Sequence, residues 1–85
     1  MRLAFTRSFR EDYQSLPDEI QNKVDKQLKF LLEDMNYPSL ETKKMEGHPD
    51  IWEARVSQSH RFTFQIEDDL YLLRRVGTHD ILKNP

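Results

Sequence analysis

The feature that most constrains this chain is a change of hydrophobic period near Thr42. Before it, Ile20, Val24, Leu28, Leu31, Leu32 and Met35 recur three and four positions apart, as on one stripe of an amphipathic helix. After it, apolar residues alternate with polar ones through 51–56, Arg61–Glu67 and 70–76, with Lys43-Lys44-Met45 as a short strand ahead of them. A sheet with one dry face needs a cover. The helical stripe, about 19 residues and close to 28 Å long, is the element that can supply it.

The ends of that helix are written locally. Pro17 suits its first turn, Asp18 and Glu19 complement the positive end of its dipole, and Asn36 and Pro38 stop it. Upstream, residues 2–5 read as a strand, and Ser8-Phe9-Arg10-Glu11 reads as a capping box opening a shorter helix with Phe9, Tyr13 and Leu16 on one face. The two helices are expected to pack as a hairpin. The sequence therefore predicts one α+β domain over residues 1–85.

Composition narrows the class further. With 85 residues, 36% hydrophobic, the core must be small, and a chain of this size buries only about 60–65% of its unfolded surface. The absence of cysteine excludes a disulfide framework or thiolate metal site and leads to the expectation of an intracellular protein. No run approaches the roughly 18 apolar residues of a membrane span, and the first residues lack a signal peptide's apolar core. Thirteen Lys and Arg against fifteen Asp and Glu exclude a uniformly basic nucleic-acid binder, so the placement of the cations becomes the question.

Register decides that placement, because a slip of one residue moves every side chain to the other face. A two-residue Asp68-Asp69 loop pairs Ile66 with Tyr71, Phe64 with Leu73 and Thr63 with Arg74. A three-residue loop at Gln58-Ser59-His60 pairs Val56 with Phe62, Ala54 with Phe64 and Trp52 with Ile66. The large apolar groups then share the helix side, and Glu53, Arg55, Arg61, Thr63, Gln65 and Arg74 share the open side.

Arg55, Arg61 and Arg74 on neighbouring strands, joined by Lys43 or Lys44, are suited to a phosphodiester, since arginine stays charged and grips two phosphate oxygens at once. The same arginines could equally be solvated strand residues paired with Glu53, Asp68 or Asp69, and spacing alone leaves both readings open. His79, where the chain leaves the last strand, is able to donate and accept a proton near neutral pH; a turn histidine is the plainer alternative. Glu53 is an eligible proton acceptor or a surface ion pair. His48 is a candidate substrate contact and His60 a turn residue, and the three histidines lack the spacing of a zinc site. No serine lies in a nucleophile elbow, and neither glycine lies in a phosphate-cradling loop.

Leu16-Pro17-Asp18-Glu19-Ile20, Lys44-Met45-Glu46-Gly47, Ile51-Trp52-Glu53-Ala54-Arg55-Val56, His60-Arg61-Phe62 and Val76-Gly77-Thr78-His79-Asp80-Ile81-Leu82 together resemble the RelE/ParE toxin superfamily of bacterial toxin–antitoxin modules. The likeness spans essentially the whole chain and implies a β-α-α-β-β-β domain with a helical hairpin on one face of a mostly antiparallel sheet. For the RelE, YoeB and YafQ types it implies a cytoplasmic, ribosome-dependent mRNA endonuclease that uses no metal or other cofactor, in which the 2′-hydroxyl attacks the adjacent phosphorus. Arg61 matches the phosphate-stabilising arginine of that family, Arg55 a basic position on the preceding strand, and His79 the C-terminal histidine that acts as general acid. Glu53 stands where RelE has a basic residue and is a candidate general base, with Lys43, Lys44, Arg74 and His48 as RNA contacts. A base-stacking aromatic near the C-terminus is missing, Leu82 standing nearest. The resemblance implies a cognate antitoxin as partner. Its alternatives are a ParE-like inhibitor of DNA gyrase and an inactive relative that only binds antitoxin.

Overall fold

The computed structural model describes all residues, Met1–Pro85. Strand β1 (Arg2–Phe5) is followed by helices α1 (Arg7–Gln14) and α2 (Asp18–Glu33), then by β2 (Lys43–Lys44), β3 (Trp52–Arg55), β4 (Arg61–Glu67) and β5 (Leu70–Gly77). The sheet order is β1-β5-β4-β3-β2. The three pairs among β2 to β5 are antiparallel, and β1 lies parallel to β5: β2, reached through the two helices, runs opposite to β1, and three further reversals bring β5 back to the direction of β1. The α+β expectation holds, with both helices on one face.

Local signals set the elements with some corrections. Helix α1 is capped by Thr6, whose Oγ1 accepts the Phe9 N–H at 3.0 Å, in place of the expected cap at Ser8. The same hydroxyl donates to the Arg74 carbonyl at 2.7 Å, so a tertiary bond selects Thr6 over Ser8. Pro17 sits just before α2 with extended backbone, and α2 runs 16 residues, ending before Asp34. Tyr13 Oη donates to Asp25 at 2.8 Å and Gln21 Nε2 to the Tyr13 carbonyl at 2.7 Å, which closes the helical hairpin.

The dry layer lies between α2 and the sheet. Val24, Leu28 and Leu31 from α2 and Phe9 from α1 meet Ala54, Phe62, Phe64, Tyr71, Leu73 and Val76. Leu32 falls outside the stripe and is 41% exposed. Burying one such side chain is worth about 1.5–3 kcal/mol, so this layer carries the domain. No helix is long and apolar enough to cross a membrane.

The hairpins keep the predicted faces and depart from some of the predicted pairs. Ile66 faces Tyr71 and Phe64 faces Leu73 across the Asp68-Asp69 turn, where Asp68 adopts the left-handed φ of 47° that aspartate tolerates. The Val56 N–H donates to the His60 carbonyl at 2.9 Å, so the three-residue loop is 57–59, one position earlier than expected. Trp52 thus pairs Phe64 and Ala54 pairs Phe62. The shift is two residues in register and therefore preserves which side every residue faces. Between Thr63 and Phe64 the β4–β5 ladder is irregular, so Thr63 pairs Arg75 in place of Arg74. The extra residue at this bulge is Arg74.

Candidate functional site

The alternation that buries Phe62 and Phe64 under the helices sends Glu53, Arg55, Arg61, Thr63 and Gln65 to the other side. Lys43 is directly opposite Glu53 and joins them. Lys44 is opposite Trp52 on the helix side, its Nζ 5.5 Å from the indole ring, so the sequence expectation that it joins the cluster is corrected by strand alternation.

Arg55 and Arg61 are direct cross-strand partners. Like charges in that position repel, so the pair requires compensation. Two carboxylates supply it: Arg55 Nη1 donates to Glu41 Oε2 at 2.6 Å, and Arg61 Nη1 donates to Glu53 Oε1 at 3.1 Å. They are unlike in setting. Glu53 is 5% exposed, held beneath the surface by its arginine, whereas Glu41 stands at the rim in solvent.

Glu41 was not marked by any local pattern in the sequence. It follows a short 3₁₀ turn, Pro38–Leu40, with φ 46° and ψ 46°, a left-handed backbone that costs a non-glycine residue about 1–3 kcal/mol. The hydrogen bond from Arg55, then the charge of Arg55, and then those of Arg61 and Lys43, hold its carboxyl below the usual carboxylate range. It is therefore ionised at neutral pH and bonded to Arg55. Only the fold brings it across 14 residues to Arg55.

Arg74 belongs to a second group. Its Nη1 donates to Gln65 Oε1 at 2.7 Å and its Nε to the Pro85 oxygen at 3.0 Å. Thr63 Oγ1 donates to that oxygen as well, at 3.0 Å, and Arg75 Nη1 donates to the Asn84 carbonyl at 3.1 Å. Residues 79–85 thus lie over part of the face expected to be open, which is why Thr63 is fully buried. Gly77 allows this return, because a Cβ there would come within 2.9 Å of Ile81 Cγ2. Half-buried His48 shares a cleft of about 290 Å³ with Arg74, Lys83 and Asn84.

Arg75 also reaches away from the tail. Asp12 of α1 accepts its Nε at 2.7 Å, its Nη2 at 3.2 Å and the Val76 N–H at 3.1 Å. The carboxylate takes the place of a strand partner where β5 runs on past the end of β1, and its hydrogen bond raises the Arg75 pKa further.

His79 opens a 3₁₀ turn two positions beyond Gly77, the cross-strand partner of Arg61. Its ring is exposed and makes no hydrogen bond, so it stands free near the Arg61 end of the strands. His60 Nδ1 lies 2.8 Å from Ser59 Oγ within the loop region. No three His, Asp or Glu side chains are grouped as metal ligands.

The fold has clear counterparts among solved structures. A YoeB/ParE toxin from Agrobacterium tumefaciens superposes with a TM-score of 0.81 at 18% identity, covering 93% of this chain and 99% of that one. The toxin–antitoxin complex RelB-RelE from Methanococcus jannaschii matches with a TM-score of 0.74 at 18% identity over 95% of each chain. YafQ from E. coli strain BL21(DE3) matches with a TM-score of 0.72 at 20% identity, covering 96% of this chain and 98% of that one. No protein-family model matches the sequence, and no curated protein matches it significantly. The chain therefore has the fold of the RelE/ParE-type toxins, over more than nine-tenths of each chain.

Proposed function

We propose that this chain is a toxin of the RelE/ParE superfamily that cleaves mRNA on translating ribosomes. One observation carries the reading: Arg55 and Arg61 are cross-strand partners on the sheet face of a fold these toxins share, with the Glu41 carboxylate 2.6 Å from Arg55 and Lys43 on the next strand opposite Glu53. Arg55 and Arg61 bind the scissile phosphate and stabilise the charge that builds on it. Glu41 takes the proton of the 2′-hydroxyl as its oxygen attacks phosphorus. The bond to the 5′-oxygen breaks, that oxygen takes a proton from His79, and a 2′,3′-cyclic phosphate and a 5′-hydroxyl remain.

Glu53, the base expected from sequence, is buried, whereas Glu41 is open to solvent and to a 2′-hydroxyl, so the part of Glu53 is to position the Arg61 guanidinium to which it is bonded. Lys43 holds a flanking phosphate. Arg74 and His48 meet RNA only further along the face, and Lys44 is left out by its orientation. The M. jannaschii relative is an antitoxin–toxin complex, which supports a cognate antitoxin as this chain's partner as well.

Expression in a bacterium, with transcript ends mapped, tests the reading. Growth arrest with cuts inside translated regions is expected, and arrest with collapsed DNA supercoiling and intact transcripts would transfer the chain to the ParE-like gyrase inhibitors. The Glu53–Arg61 pair favours a second reading, an inactive antitoxin binder, because it engages the arginine already. That reading predicts no arrest at all.

A further inference from the structure

Beyond the Arg55–Glu41 pair the sheet face continues into a cleft of about 390 Å³ between α2 and the β3–β4 loop. Its lining includes Lys23, Lys26, Gln27, Glu41, Arg55 and Ser57. In a chain of net charge −2, the charged groups here are three cations and one carboxylate, and that carboxylate is already bonded to Arg55. A single aromatic or aliphatic wall is nearly absent, since Val56 is the one hydrophobic residue of the lining. Such a cleft has little to offer an apolar ligand and much to offer a phosphate chain.

The cleft is built, and its floor is one buried amide. Gln27, 7% exposed on the otherwise apolar side of α2, donates through Nε2 to the Arg55 carbonyl at 2.6 Å and to the Ser39 carbonyl at 3.1 Å. Its Oε1 accepts the Ser39 hydroxyl at 3.1 Å. These bonds join α2 to β3 and to the turn that carries Glu41, so Lys23 and Lys26 keep a set relation to Arg55 and Glu41. Lys26 is further steadied over the Phe30 ring, 5.9 Å from Nζ to the centroid.

We propose that this cleft is a second phosphate subsite, which holds the backbone of single-stranded RNA beyond the scissile bond through Lys23 and Lys26. The proposal rests on the nuclease reading, since Arg55 is common to both sites. It names a path for the chain: from Arg61 across Arg55 and around the sheet edge onto α2. The recognition is of phosphate and ribose, by lysine and by hydroxyl and amide groups such as Ser57 and Gln58, and carries no base specificity.

The test is binding of non-cleavable, 2′-deoxy-substituted single strands of about 3 and about 12 nucleotides to the full chain, over a range of salt. Wild type should bind the longer strand more tightly, and Lys23→Ala/Lys26→Ala should lose most of that gain, roughly tenfold, with a salt slope shallower by about 1.4 for the two lost contacts. Both lysines are exposed, so thermal melting should be unchanged. Gln27→Leu should reduce the gain for the longer strand as well, through misplacement of the lysines, with the salt slope made shallower in the same sense.

Equal length gain and salt slope in wild type and the lysine variant would overturn the subsite, as would absence of binding by wild type. Tighter binding of a glutamate-rich peptide than of RNA, with the same lysine dependence, would overturn it in favour of a protein ligand. The nuclease reading is judged separately by transcript cleavage in cells, so either can fail without the other.

Discussion

The two faces of the sheet are made by alternate residues of the same strands, yet they are held by different physics. On the helix side Phe62, Phe64 and Leu73 are fully buried against α2 with no polar group among them. On the other side nearly every side chain has a charged or hydrogen-bonded partner: Arg55 with Glu41, Arg61 with Glu53, Arg74 with Gln65 and Pro85. The first face gains free energy from area removed from water and is indifferent to the identity of its neighbours within limits of volume. The second gains little net stability from its ion pairs, but it fixes where each charge points. Stability and chemistry are thus divided between opposite sides of one layer.

That division is broken most sharply from the dry side. Phe64→Ala should lose about 3–5 kcal/mol, a large share of the 5–15 kcal/mol typical of a domain, in urea unfolding. A loss below about 1 kcal/mol would show that the core does not rest on this layer. Next, Asp12→Ala removes the partner of Arg75 and of the Val76 N–H, where α1 closes the β5 edge. A loss of about 1–3 kcal/mol in the same assay is expected, with growth arrest retained by whatever fraction stays folded.

On the charged side the effect should fall on activity. Arg61→Ala is expected to lower transcript cleavage by about a hundredfold or more, and His79→Ala to abolish arrest without shifting the melting temperature. Arg61→Ala also leaves Glu53 buried and unpaired, so it should be less stable than Arg61→Ala/Glu53→Gln while equally inactive. If the double variant recovers cleavage, Arg61 serves only to neutralise Glu53.

The smallest effects are in titration. Because Arg55 lowers the Glu41 pKa from 4.5, the carboxylate adds stability above its unfolded value that is lost as pH falls through the lower folded value. Arg55→Gln should move the Glu41 titration, followed by carboxyl NMR, back up towards 4.5. Tyr13 runs the other way: its hydrogen bond to Asp25, burial and the Asp25 charge raise its pKa from 10.0. Its contribution is present below 10.0 and disappears as pH rises through the folded value, so Tyr13→Phe should flatten the alkaline loss of stability. An unchanged alkaline limb would assign that loss to Tyr71, whose pKa burial also raises.

Much of the architecture was legible because it follows from short-range periods. The stripe through Val24, Leu28 and Leu31 and the alternation through Phe62 and Phe64 name the buried faces without reference to partners. Even a two-residue error in β3–β4 register left every face correct, since side chains repeat every second residue. The cap of α1 is not legible locally, because Thr6 displaces Ser8 through a bond to Arg74, 68 residues away. Lys43 and Lys44 are adjacent in sequence, yet the strand points them to opposite faces, Lys43 beside Glu53 and Lys44 beside Trp52.

The sequence by itself determined the α+β layers, the dry face and the cations Arg55 and Arg61 on the opposite one, since these depend on the alternation of neighbouring residues along the chain. Only the tertiary structure decided that Glu41 meets Arg55, that Glu53 is buried beneath Arg61, that a bulge moves Arg74 away from them, and that residues 79–85 cover Thr63. Those contacts join residues far apart in the chain, and no local preference encodes a partner that arrives only when the layers close.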